Sequence, residues 1–176
     1  MNPVISIPAV ITVAFGAVAL GLCGCAGAPT IPETLNPAST EALAMVVPAR
    51  GAQIYQCRIK GAGHEWTFVA PDAELLDTRG NVIGRHGAGP YWQSLDGSRI
   101  DGTVKARADA PVAGAIPWLL LNAKSTGPAG AFSAVTSIQR VNTVGGLTPA
   151  APCNGVTVGT QERVHYTADY RFFSNR

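Results

Sequence analysis

An all-β fold is predicted for this chain: an antiparallel β-sandwich or barrel of about seven to nine short strands, preceded by an N-terminal apolar signal helix and a flexible tether. Three observations carry that expectation. From Ala49 onward the apolar residues recur with a period of two, the signature of half-buried strands. Turn formers are dense, with 20 Gly and 13 Pro in 176 residues. Hairpin-type sequences such as Thr78-Arg79-Gly80-Asn81 and Leu95-Asp96-Gly97-Ser98 separate the periodic runs, the second with the Asp-Gly pair that type I′ turns favour.

The first element is an uncharged apolar run from Val4 to Leu22, closed by Leu22-Cys23-Gly24-Cys25-Ala26-Gly27. A run of this kind followed by small and then polar residues reads as an export signal. Leu22-Cys23-Gly24-Cys25 resembles the lipobox of bacterial lipoproteins, which implies cleavage after Gly24 and a lipid on Cys25. Two alternatives stay open: an ordinary signal cut near Ala26 or Ala28, and a retained anchor, since the run approaches the roughly 18 residues that span a bilayer. All three place the remainder outside the cytoplasm, either lipid-anchored in the cell envelope, periplasmic or secreted. The expected organisation is a signal peptide at 1–24, a tether at 25–46 and one β domain at 47–176. Within the tether, Thr40-Glu41-Ala42-Leu43-Ala44 has good helix formers behind a capping residue, so a short helix is expected near Ser39–Met45.

The strands follow in order. Tyr55, Cys57 and Ile59 alternate with Gln56, Arg58 and Lys60, and Trp66, Phe68 and Ala70 share a face. Ile100, Val104 and Ala106 oppose Arg99, Asp101, Thr103, Lys105 and Arg107. Ile116-Pro117-Trp118-Leu119-Leu120-Leu121 is apolar on both faces and predicts a fully buried central strand; Ala134–Thr143 is less regular and predicts a bulge. Val164, Tyr166, Ala168, Tyr170 and Phe172 point one way, with Arg163, His165, Thr167, Asp169 and Arg171 on the other side.

Composition bounds the partners. Only 14% of residues are charged, the net charge is +2, and Lys and Arg are scattered, which argues against nucleic acid. Beyond the signal only Cys57 and Cys153 remain, so an exported chain predicts a cross-sheet disulfide, with two buried free thiols as the alternative. Neither has a second ligand at metal-motif spacing, and no cofactor motif is present: there is no Walker-type loop, no His-Glu-x-x-His and no Gly-x-Ser-x-Gly.

The densest unusual stretch is Gly84–Ser98, where His86, Tyr91, Trp92 and Asp96 stand among four glycines. Glycines let a backbone approach a ligand, and aromatic rings beside polar groups form platforms for sugars or flat amphipathic molecules. The competing reading makes Trp92 a core residue and Asp96 a turn residue. Arg140 sits in a strand-like segment and, if buried, needs a carboxylate partner such as Asp101 or Asp169, an arrangement that would serve as a specificity device or a ligand anchor. The candidate ligand set is therefore His86, Tyr91, Trp92, Asp96 and Arg140, with no metal and no catalytic assignment.

In order along the chain, Gly51-Ala52-Gln53-Ile54-Tyr55-Gln56-Cys57, Trp66-Thr67-Phe68-Val69-Ala70-Pro71, Gly84-Arg85-His86-Gly87-Ala88-Gly89-Pro90-Tyr91-Trp92, Ile116–Leu121, Ile138–Gly146 and Tyr166–Phe173 resemble the secreted bacterial and fungal family of the domain of unknown function 3455. The resemblance implies a single extracytoplasmic domain with Cys57 and Cys153 paired, and no activity. The expected function is thus a non-catalytic envelope or secreted domain that binds a cell-wall glycan, a small ligand or a protein partner. The alternative is an extracytoplasmic hydrolase or metal-dependent enzyme using His86, Asp96, His165 and Asp169, which requires at least two of these side chains to meet.

Overall fold

The computed structural model describes residues 29–176, so the export signal, the lipobox and Cys25 lie outside the described residues. Eight strands run in chain order: β1 (Glu41–Lys60), β2 (Gly63–Leu76), β3 (Val82–Gly87), β4 (Tyr91–Ser94), β5 (Arg99–Ala108), β6 (Trp118–Ser125), β7 (Val135–Gly145) and β8 (Gln161–Asn175). Each pairs antiparallel with the next, and β8 returns to pair with β1. The sheet is therefore a closed up-and-down barrel rather than a sandwich, a solution that leaves no strand edge unpaired.

β1 is long because it carries the closure. Arg50 lies opposite Glu74 on one side and Thr167 on the other. The short helix expected near Ser39–Met45 is instead the beginning of this strand, with Ala42 opposite Ser174 and Leu43 opposite Phe173. Helix propensity differs by only tenths of a kcal/mol per residue, whereas the last residues of β8 gain a full ladder partner. Glu41 does not cap a helix. Its carboxylate accepts hydrogen bonds from Thr136 Oγ1, Ser137 Oγ and the Ala38 amide. Burial raises its pKa, but these donors together outweigh burial and hold it below the usual carboxylate range.

The stretch just before β1 is also seated. A 3-10 turn at Glu33–Leu35 buries Leu35 completely against Trp118, Leu120 and Val141 on the outer wall, and Leu35 O accepts a hydrogen bond from Gln139 Nε2. This cover explains why Ile116–Leu121 is apolar on both faces. One face looks into the lumen and the other lies beneath the incoming chain.

Bulges break the strict alternation expected from sequence. Val69 is the extra residue between Phe68, opposite Tyr55, and Ala70, opposite Ile54, so Ala70 leaves the face that Trp66 and Phe68 share. Lys105 likewise separates Val104, opposite Leu121, from Ala106, opposite Leu120. Val104 then lines the lumen while Ala106 packs outward beneath the incoming chain. The bulge expected in Ala134–Thr143 is present twice, once at each end of β7, the second with Asn142 at φ 52°. Ile59, expected inside, is 69% exposed because the β1–β2 hairpin projects past the barrel rim. In the β4–β5 turn Gly97 alone has positive φ, at 88°, so the Asp-Gly pair forms a type I turn followed by a left-handed glycine rather than a type I′ turn.

The two ends of the barrel differ. At one, the loop 126–134 inserts Phe132, 1% exposed, against Phe172 with ring centroids 5.0 Å apart. Val47, Leu75, Ile100, Leu121 and Ile138 complete this plug. The other end stays open. There Cys57, near the end of β1, bonds Cys153 in the long β7–β8 loop with Cα atoms 5.4 Å apart. The disulfide thus staples a loop to the rim and does not bridge two sheets.

The outer wall carries Arg50–Glu74 and Arg163–Asp72 ion pairs at 3.1 and 2.8 Å, all four side chains exposed. A membrane-spanning barrel needs an apolar belt about 25 Å tall there and a polar interior. Here charged pairs stand on the outer wall and an apolar cluster fills the interior. No helix among the described residues is long and apolar enough to cross a membrane.

Candidate functional site

Above the Phe132 plug the lumen opens into a cavity of about 600 Å³, the size of small-molecule sites. Its wall is mostly apolar, from Phe68, Val69, Pro71, Val104, Ile116, Leu119 and Leu121, with Leu147 and Thr148 contributed by the disulfide-held loop. Antiparallel pairing places the polar members. Arg140 lies opposite Tyr170 and opposite Leu119, His86 opposite Trp92, and Gln53 opposite Pro71, and cross-strand partners share a face.

Three aromatic rings meet at the floor. His86 stacks on Trp92 with centroids 4.3 Å apart, and Tyr170 meets both edge-on at 5.0 and 5.3 Å. His86 is 3% exposed, and its Nδ1 lies 2.7 Å from the Tyr91 carbonyl. A carbonyl only accepts, so Nδ1 carries the proton and Nε2 is an acceptor. Burial holds the His86 pKa down to about 3; the Tyr91 bond opposes this only in part, and the Arg140 cation adds to it. The imidazole is neutral at any ordinary pH. Burial pushes the Tyr170 and Tyr166 phenols up, and their hydroxyls lie 3.2 Å apart.

Arg140 is the one guanidinium set into this wall. Its Nε and Nη2 donate to the Pro117 carbonyl at 3.1 and 2.8 Å. The carboxylate partner expected for it is not there: Asp101 pairs with Arg99 at 2.9 Å, and Asp169 accepts from Asn142 Nδ2 at 2.8 Å. Bulging at Asn142 gives Asp169 a neighbour on its own outer face, while Arg140 stays on the inner one. Among the described residues four buried side-chain polar atoms have no hydrogen-bond partner: Gln53 Nε2 and Trp92 Nε1, from residues of this wall, and Trp118 Nε1 and Gln139 Oε1, from residues that meet Leu35 on the outer wall.

The remaining sequence candidates lie elsewhere. Tyr91 contributes its carbonyl to His86, while its ring sits under the Arg99 guanidinium at 4.0 Å. Asp96 shapes the β4–β5 turn, accepting from the Ser98 amide, Ser98 Oγ and the Ala131 amide, and these donors hold its pKa down to about 2. It pins the loop that delivers Phe132. His165 and Asp169 are on the outer face of β8. No hydrogen bond joins any two of His86, Asp96, His165 and Asp169, and no three His, Cys, Asp or Glu side chains converge among the described residues. Of the five ligand candidates, the structure brings His86, Trp92 and Arg140 together and leaves Tyr91 and Asp96 outside.

Gln53, Tyr55, Arg107 and Tyr170 join the site without having been singled out. Gln53 had a legible signal, a polar residue in the inward register of a strand whose next inward positions are Tyr55 and Cys57. A second depression, of about 610 Å³, lies on the outer wall around Arg50, Arg163 and His165. Two of its three arginines, Arg50 and Arg163, are paired with Glu74 and Asp72, and the third, Arg85, lies opposite Glu74 on the neighbouring strand; the more enclosed, mostly apolar lumen is the stronger small-molecule site.

No curated protein and no solved structure matches the chain. The family described as protein of unknown function (DUF3455) matches residues 37–174, a span that runs from just before β1 almost to the end of β8. The closed barrel, its stapled loop and its lumenal cavity are therefore features of a member of the DUF3455 family, to which this chain belongs.

Proposed function

We propose that this protein is an extracytoplasmic, non-catalytic binder of a small molecule, which it holds in the open half of the barrel. The observation that carries this reading is the cavity of about 600 Å³, walled mostly by apolar side chains with a few polar groups set among them. A small ligand suits the site better than a glycan chain. Trp92 is only 1% exposed and stacked on His86, so it is a floor and not an open sugar platform.

The Cys57–Cys153 bond supports an oxidising compartment, and the Leu22-Cys23-Gly24-Cys25 sequence supports delivery to the envelope on a lipid at Cys25. The test of binding is a titration with the uncharged fluorophore N-phenyl-1-naphthylamine. Saturable one-to-one enhancement is expected, and Leu119→Trp, which fills the cavity, should abolish it. Absence of enhancement, or enhancement indifferent to Leu119→Trp, refutes the reading.

A further inference from the structure

The charges around the lumen are one-sided. Arg140 and Arg107 line the cavity, and among the described residues no Asp or Glu does. Arg107 is exposed, whereas Arg140, across Leu119 from it, is half-buried beside the neutral side chains of Tyr170 and His86. A guanidinium has five N–H donors. Arg140 directs two of its nitrogens at one carbonyl, that of Pro117, which fixes the plane of the group but does not neutralise it. None of the ion pairs among the described residues involves Arg140. A half-buried cation without a counter-ion favours an anion that comes within reach.

We infer that Arg140 is the anchor for an acidic ligand: the cavity takes a small amphipathic monocarboxylate, with its carboxylate on the Arg140 fork and its apolar or aromatic body against Leu119, Val104 and the His86–Trp92–Tyr170 floor. This rests on the small-molecule reading above and adds the ligand's class. A carboxylate fits because it is planar and accepts two parallel N–H bonds from one guanidinium. One charge fits because one guanidinium is set into the wall; a phosphate monoester would leave a second negative charge unmatched in apolar surroundings. The exposed Arg107 attracts an anion on approach, an effect that salt weakens.

The test compares matched pairs that differ only in charge: 3-phenylpropanoate against 3-phenylpropanamide, and octanoate against octanamide, each measured by displacement of N-phenyl-1-naphthylamine and by calorimetry at pH 7.5. The acids are expected to bind at least about tenfold tighter than the amides. Arg140→Gln should bring the acid-over-amide ratio toward one, and Arg140→Lys should restore part of it. The comparison on the unmutated protein stands even if a variant folds poorly. Equal affinity of acid and amide overturns the inference while leaving a neutral-ligand cavity intact. Failure of all four compounds to displace the fluorophore also overturns it. If the fluorophore itself does not bind, the small-molecule reading fails first.

Discussion

His86 lies almost flat on Trp92, with 4.3 Å between ring centroids and 18° between ring planes, deep inside a closed barrel. This packing has a pH consequence. The folded pKa of His86 is about 3 against an ordinary 6.5, so the unfolded chain takes up a proton that the folded protein refuses. Stability from this group is complete above pH 6.5 and is lost as pH falls from 6.5 toward 3. The loss is limited to about 4–5 kcal/mol. Urea midpoints measured at pH 7.5 and pH 4.5 are expected to fall more in the natural protein than in His86→Asn. An equal fall in both would show that His86 is not the buried neutral group described.

The Cys57–Cys153 bond closes a loop across 96 positions, and it holds Leu147 and Thr148 at the cavity. Chain-entropy reasoning puts its contribution at about 4–5 kcal/mol as an upper figure. Paired Cys57→Ser and Cys153→Ser substitutions should lower the urea midpoint and weaken fluorophore binding together. Alkylation of denatured, unreduced protein should leave both cysteines unmodified.

Asp96 and Phe132 belong to the plug and not to the cavity. Phe132→Ala is expected to cost about 3–5 kcal/mol, the range for removing a large buried ring. Asp96→Asn should destabilise in the same direction, because it weakens the anchoring of Ala131 and Ser98. At temperatures where the variant is folded, its affinity for the fluorophore should be unchanged. A selective loss of affinity in Asp96→Asn would return Asp96 to the binding site.

Metabolic labelling with a radioactive fatty acid tests the export reading. The label is expected on the natural protein and absent from Cys25→Ser. Label that persists in the variant refutes lipidation at that position.

Much of the barrel was legible in the sequence because its strands alternate between lumen and water. Val164 to Phe172 shows this most clearly: Tyr166, Ala168, Tyr170 and Phe172 are all buried. What sequence could not show was where alternation breaks. The bulges at Val69 and Lys105 leave no mark in composition, because the extra residue is decided by how two strands must bend to close the barrel. The start of β1 was hidden for a related reason. Thr40–Ala44 reads as helix locally, and only the distant β8 makes it a strand.

The site was half legible. His86 and Trp92 stand in one glycine-rich run, and they do face each other across β3 and β4. Tyr91 and Asp96 stand in the same run but alternate out of the lumen or belong to the turn. Arg140 was recognisable as an arginine in need of a partner. That the protein supplies only the Pro117 carbonyl became visible once Asn142 was seen to occupy Asp169.

The central claim is that the lumen above Trp92 receives a ligand, and the indole N–H resonance of Trp92 reports on it most directly. Titration of 3-phenylpropanoate into ¹⁵N-labelled protein is expected to shift the Trp92 indole and Gln53 side-chain signals, with the Trp118 indole, outside the barrel under Leu35, left in place. A Trp92 indole signal that does not move at saturating acid, or shifts confined to the outer wall, would contradict the account.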